Sequence, residues 1–136
     1  GLAGLRIGYG MMPSFLADLL NRVRQPFNVN SLAQAGAIAA LEDEDFLANT
    51  VALVYAELDY LYAALDNLGI EYLESQANFF LIRVVRNADE VFEDLLKQGV
   101  IVRSMASYGY PDCIRVNVGL HHENLRLLKA LEVVLK

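Results

Sequence analysis

Cysteine is nearly missing from this 136-residue chain, with Cys113 the single one. An internal disulfide framework and a cysteine-rich zinc site are thereby excluded. A lone thiol suits a reducing compartment, and a cytoplasmic location is expected. Basic charge is also scarce. Eleven Lys and Arg stand against seventeen Asp and Glu, a formal net charge of −6 at pH 7. Nucleic-acid binders draw most of their affinity from basic groups on phosphates, so that class of partner is set aside. Apolar runs are short and broken by charges, so no segment reads as a membrane span. Low-complexity tracts and repeats of fixed period are absent too. What remains is 55% hydrophobic and 21% charged, the composition of a chain with a core and not of a disordered one. Its length suits one domain or part of a larger one.

The chain opens Gly1-Leu2-Ala3-Gly4-Leu5, apolar and glycine-rich, without a Met. This reads as a cut inside a longer protein; a tag remnant joined to a complete domain is the alternative. Leu5 to Tyr9 reads as a short strand between glycines. Met12, Phe15, Leu16, Leu19, Leu20 and Val23 recur at helical spacing, with Pro13 in the first turn and Pro26 as the stop. Gln25 to Asn30 is a loop. Ser31 with Gln34 resembles a capping box opening a small-residue helix over Leu32 to Leu41.

The acidic run Glu42 to Asp45 marks a seam and a new helix start. Leu47, Val51, Val54, Leu58, Leu61, Leu65 and Leu68 then alternate spacings of four and three, and Gly69 caps the helix. Such a stripe suits a helix laid along a sheet or another helix, or alternatively a coiled coil. Tyr55 and Tyr62 lie beside it and could face a partner. Beyond, strands are expected at Ile70 to Leu73, Asn78 to Val85, Val100 to Arg103 and Ile114 to Val118. Helices are expected at Asp89 to Gln98, with Val91, Phe92, Leu95 and Leu96 inward, and at Glu123 to Leu135. The fold class is α/β, ending in a small α+β unit with a sheet of about four strands covered by helices. Residues 1–42 and 43–136 are the expected divisions.

Arginines outnumber lysines eight to three. Arg6, Arg83, Arg103 and Arg115 are placed where strands meet loops or turns, and Arg suits planar carboxylates and phosphates. Arg115 is the sharpest case: mid-strand, between apolar residues, sharing a face with Asn117. A charge there needs a partner, either a carboxylate of this domain or the anion of a ligand. Arg103 enters the loop of residues 104–112, which is rich in Ser, Tyr and Gly; it is either a surface arginine or a ligand contact. Gly8-Tyr9-Gly10 does not complete a dinucleotide fingerprint. His121 and His122 point apart at a helix start and gather no other ligand, so no metal site is expected. Cys113 reads as a small buried thiol. No complete active site emerges from these residues alone.

Taken in order, several segments carry a resemblance. Gly1-Leu2-Ala3-Gly4-Leu5-Arg6-Ile7-Gly8-Tyr9 resembles the stretch that follows the cofactor lysine in fold-type I, pyridoxal-phosphate-dependent aminotransferases. Arg24 to Asn30 resembles a loop of the histidinol-phosphate branch. Ser75-Gln76-Ala77-Asn78-Phe79, Gly99 to Arg103, Ile114 to Gly119, and Asn124 at the opening of the last helix match later segments. The resemblance covers essentially the whole chain. It implies the C-terminal portion of the fold-type I fold: residues 1–42 a remnant of the large cofactor domain, and residues 43–136 the connecting helix with the small domain.

The same resemblance implies pyridoxal 5′-phosphate as cofactor and histidinol phosphate, imidazole-acetol phosphate, glutamate and 2-oxoglutarate as partners, in histidine biosynthesis. It implies that Arg6 binds the cofactor phosphate, Arg115 the substrate carboxylate or the equivalent polar end of the amino acid, and Arg103 the substrate phosphate, with Asn78 and Tyr108 lining the site. A homodimer is implied for the parent enzyme. The family's Schiff-base lysine falls three residues before the position of Gly1, so no residue of this chain is expected to take that role. Lys97, Lys129 and Lys136 sit on helix surfaces or at the terminus. The chain alone is therefore expected to be inactive. The alternatives are an enzyme resembling threonine-phosphate decarboxylase and a non-enzymatic α+β module that binds small molecules.

Overall fold

The computed structural model describes residues 1–135; Lys136 lies outside the described residues. The chain divides into two compact units, Gly1–Ala48 and Asn49–Lys136. A long helix, α3, crosses the division.

The first unit is helical. Leu5 to Tyr9 is not a strand. Residues Ala3–Leu5 form a single 3-10 turn, closed by Leu5 N donating to Leu2 O at 3.0 Å, and Arg6 follows in the left-handed region at φ 59°. A strand needs a partner ladder, and the unit offers none among the described residues. Helix α1 spans Ser14–Val23, and its first free amides donate to the Pro13 carbonyl. Helix α2 spans Ser31–Glu42. Its cap is Asn30 and not Ser31. Asn30 is extended, which sets its Oδ1 to accept from Ala33 N at 2.8 Å, and Gln34 donates back to Val29 O. Ala33 is fully buried.

Helix α3 runs Glu44–Leu68. Asp43 caps it by accepting from Phe46 N at 2.9 Å, with Glu44 and Asp45 favouring the positive end. Gly69 ends it at φ 68°, a conformation glycine adopts without a Cβ clash. The apolar stripe behaves differently along its length. Leu58, Leu61 and Leu65 are buried, whereas Leu47 is 64% exposed.

In the second unit, strands β1 (Tyr72–Leu73), β2 (Phe79–Arg83), β3 (Arg103–Ser104) and β4 (Cys113–Asn117) make one antiparallel sheet in the order β1-β2-β4-β3. Helices α4 (Ala88–Lys97) and α5 (His121–Val134) complete the unit. Phe80, Ile82, Ile114 and Val116 form one sheet face and share a core with Leu58, Leu61 and Leu65 of α3, Val91 and Leu95 of α4, and Leu127 and Leu131 of α5. Leu96 turns outward, contrary to its expected place, because Val91 and Leu95 already occupy the inner stripe of a ten-residue helix. Tyr62 faces inward: it stacks on Tyr72, meets Phe80 edge-on, and its hydroxyl accepts from Ser75 N at 2.9 Å. Tyr55 remains exposed. Among the described residues, no helix is long and apolar enough to cross a membrane.

The contrast along α3 is testable by urea unfolding. Leu61→Ala is expected to cost about 2–5 kcal/mol, the range for truncating a buried Leu, and Leu47→Ala within about 0.5 kcal/mol of zero.

Candidate functional site

The pleat of the sheet sends alternate residues to opposite faces. With Ile114 and Val116 committed to the core, Arg115 must emerge on the other side. The register places Arg115 of β4 directly opposite Arg103 of β3 and opposite Leu81 of β2. Two arginines therefore stand side by side on the sheet face that does not pack on the helices. Like charges in this position repel and destabilise the ladder.

Neither arginine is neutralised by a carboxylate among the described residues. The ion pairs of this unit join Arg83 to Glu71 and Asp112, Arg86 to Glu90 and Asp94, Lys97 to Asp94, and His121 to Glu57. The Nε of Arg115 is buried and has no hydrogen-bond partner. A buried donor left unpaired costs about 1–3 kcal/mol, more when charged. Each guanidinium instead lies near an aromatic ring. Arg115 Cζ is 5.2 Å from the Phe79 ring centroid, and Arg103 Cζ is 5.9 Å from that of Tyr108. Of the two partners left open for Arg115 by the sequence, a carboxylate of this domain is thus not the one in place.

Tyr108 ends a 3-10 turn, Ala106–Tyr108, that returns the loop toward β3. Asn78 is exposed just before β2, and its carbonyl accepts from Val118 N at 2.9 Å, beyond the far end of β4. Arg103, Arg115 and Tyr108 are therefore brought together, with Phe79 added, and Asn78 stands at the margin. Arg83 is drawn into ion pairs at 3.4 Å with Asp112 and 3.8 Å with Glu71, a structural role. Cys113 is buried, and burial first, then the charge of Asp112, pushes its thiol above the usual cysteine range. A hollow of about 560 Å³, lined by Ile70, Arg83, Val85, Arg86 and Leu131 among others, lies apart from Arg103 and Arg115.

Two residues were not foreseen. Glu57 is buried on α3, where it accepts from Asn124 Nδ2 at 2.8 Å and pairs with His121 Nδ1 at 3.1 Å. Asn124 also bonds both backbone groups of Gly119 at 3.0 Å. A carboxylate next to Leu58 in an apolar stripe was the available signal. Phe79 had none, because its neighbour depends on cross-strand register.

Arg6 belongs to the first unit. It is exposed, its Nη1 donates to Ala3 O at 3.0 Å, and it forms no ion pair among the described residues. A non-glycine residue at φ 59° is strained, and such strain gathers at ligand sites.

A family model, aminotransferase class I and II, matches residues 1–131. The chain belongs to this aminotransferase family. The histidinol-phosphate aminotransferase of Methylobacillus flagellatus is 53% identical over 136 residues, all of this chain and 37% of that protein. The chain thus spans little more than a third of this curated relative's length. The solved histidinol-phosphate aminotransferase of Sinorhizobium meliloti, in complex with pyridoxal-5′-phosphate, superposes with a TM-score of 0.77 at 25% identity, covering 99% of this chain and 38% of that one. A decarboxylase from Sulfurospirillum multivorans superposes at 0.80 with 29% identity, covering 100% and 41%. The aminotransferase family is one of pyridoxal-phosphate enzymes, and the fold expected from the sequence, part of the fold-type I architecture, is the one observed.

The unpaired aminotransferase arginines lead to an expected outcome in urea melts. Arg115→Met should leave the unfolding midpoint unchanged or raise it, since it removes a buried donor and a like-charge neighbour. Inorganic phosphate should raise the midpoint of the wild-type chain more than that of the variant.

Proposed function

We propose that this chain is the C-terminal part of a homodimeric histidinol-phosphate aminotransferase, which exchanges an amino group between histidinol phosphate and 2-oxoglutarate in the cytoplasm during histidine biosynthesis. The observation that carries this reading is the pair Arg103 and Arg115, side by side without a carboxylate, the latter with a buried unpaired Nε. An anionic substrate supplies what the fold withholds. The relatives named above support the choice of substrate. Residues 1–42 then represent a remnant of the large domain, and residues 43–136 the connecting helix and small domain.

Each candidate site residue has a role in this reading. Arg6 offers its guanidinium edge to the phosphate of the cofactor. Arg115 holds the carboxylate of glutamate or 2-oxoglutarate, or the equivalent polar end of histidinol phosphate, which has no carboxylate, and Arg103 holds the substrate phosphate by a charge-assisted pair. Holding the substrate between two arginines gives it one direction, which removes much of the orientational entropy from the reaction. Tyr108 and Asn78 line the approach. When bound, pyridoxal phosphate supplies the electron sink for chemistry at the substrate α-carbon. None of Lys97, Lys129 and Lys136 matches the family's cofactor lysine, so the 136-residue chain by itself is inactive.

A second reading stays in the same fold. The decarboxylase from Sulfurospirillum multivorans is as similar in structure as the aminotransferase from Sinorhizobium meliloti, and a phosphorylated amino acid carries both a phosphate and a carboxylate for the two arginines.

Three measurements check these readings. Treating the 136-residue chain with pyridoxal phosphate and borohydride should yield no stoichiometric adduct at any one lysine by mass spectrometry; a single saturated site would overturn the inactivity of the chain. In the full-length protein, histidinol phosphate with 2-oxoglutarate should turn over and threonine phosphate should not be decarboxylated. Arg115→Gln should lower kcat/KM by about 100-fold or more, as expected for losing a charge-assisted pair of hydrogen bonds.

A further inference from the structure

Arg115 needs a rigid seat if it is to meet a planar carboxylate with two parallel bonds. A long, flexible side chain loses rotamer freedom on doing so. Ion pairs commonly provide the seat, and Arg83 shows this in the same sheet with Glu71 and Asp112. Arg115 has no such pair among the described residues, and its Nε has no acceptor. The Phe79 ring lies 5.2 Å from its Cζ. Phe79 is paired with Asn117 in the ladder, so it sits diagonal to Arg115 on the same face, within reach of an aromatic side chain. A ring attracts the cation through its face and contributes no acceptor that would compete for the N–H groups. An acidic residue in its place would fix the arginine and occupy it at once.

We infer that Phe79 is a positioning residue: its ring holds the Arg115 guanidinium in place while leaving the N–H edge open to a carboxylate ligand. The inference rests on the reading of Arg115 as the carboxylate site. It assigns Phe79 no contact with substrate or cofactor.

The test uses the full 136-residue chain and nitrogen-15 NMR of the arginine side chains, with acetate as the carboxylate probe. The Arg115 Nε–H signal should be displaced by the ring current of Phe79 and should show slowed guanidinium rotation before any acetate is added. Phe79→Leu should abolish both signatures and weaken acetate binding at Arg115 about three- to fivefold. Phe79→Tyr, which keeps the ring, should restore all three properties, and Arg115→Lys should remove the acetate response. Phe79 is only partly buried, so both variants should fold, which the dispersion of the backbone amide spectrum reports. Unchanged rotation and acetate affinity in Phe79→Leu would overturn the positioning role while leaving the carboxylate reading intact. A wild-type Arg115 signal that is ordered by Phe79 but indifferent to acetate would overturn the carboxylate reading, and this inference with it.

Discussion

The packing of one sheet face onto three helices governs the second unit. Phe80, Ile82, Ile114 and Val116 meet Leu61 and Leu65 of α3 together with residues of α4 and α5. Strand side chains alternate with a period of two, so a slip of one residue would send Arg115 into this core and Ile114 into water. The apolar face thus fixes the register, and the register fixes which polar groups share the opposite face. The hydrophobic effect has no direction of its own, yet through the pleat it brings Arg103 and Arg115 together as neighbours.

The two kinds of arginine in the sheet show what this placement permits. Arg83 ends β2 and sits between Glu71 and Asp112, with its charge satisfied inside the unit. Arg115, one strand away, has a buried Nε without an acceptor. Burial opposes leaving that donor unpaired, and repulsion from Arg103 opposes it further. In the proposed function, such a pair trades stability for the capacity to take an anion. The Asn124 side chain supports the arrangement at a distance by bonding Gly119, at the turn after β4, and Glu57 on α3.

Much of the fold was legible in the sequence. The periodicity of α1, α3 and α5, the Gly69 cap and the alternation of β4 all follow local rules that neighbouring residues carry. Failures came where the outcome depends on a distant partner. Leu5 to Tyr9 has strand composition, but its extended form has no ladder to join among the described residues. Asn30 displaced Ser31 as the cap because its backbone is extended. Leu96 and Tyr62 were misplaced because the inner stripe of α4 and the inward side of α3 are set by tertiary packing. The arginines of the site could be singled out by residue type and by family resemblance. Their adjacency, the Phe79 ring and the Glu57–His121–Asn124 cluster required the register of strands and helices far apart in the chain.

Cys113 opens β4, one of the two inner strands, with its thiol buried and pushed toward the neutral form. Reaction of a thiol requires both access and ionisation, and the folded strand withholds each. Because the chain has one cysteine, any labelling by a thiol reagent has a single origin. The rate of that labelling is then a clock for openings of the β2–β4 ladder, the same ladder that keeps Phe79 beside Arg115. The molecule carries its own reporter of local unfolding at the strand that bears the candidate site.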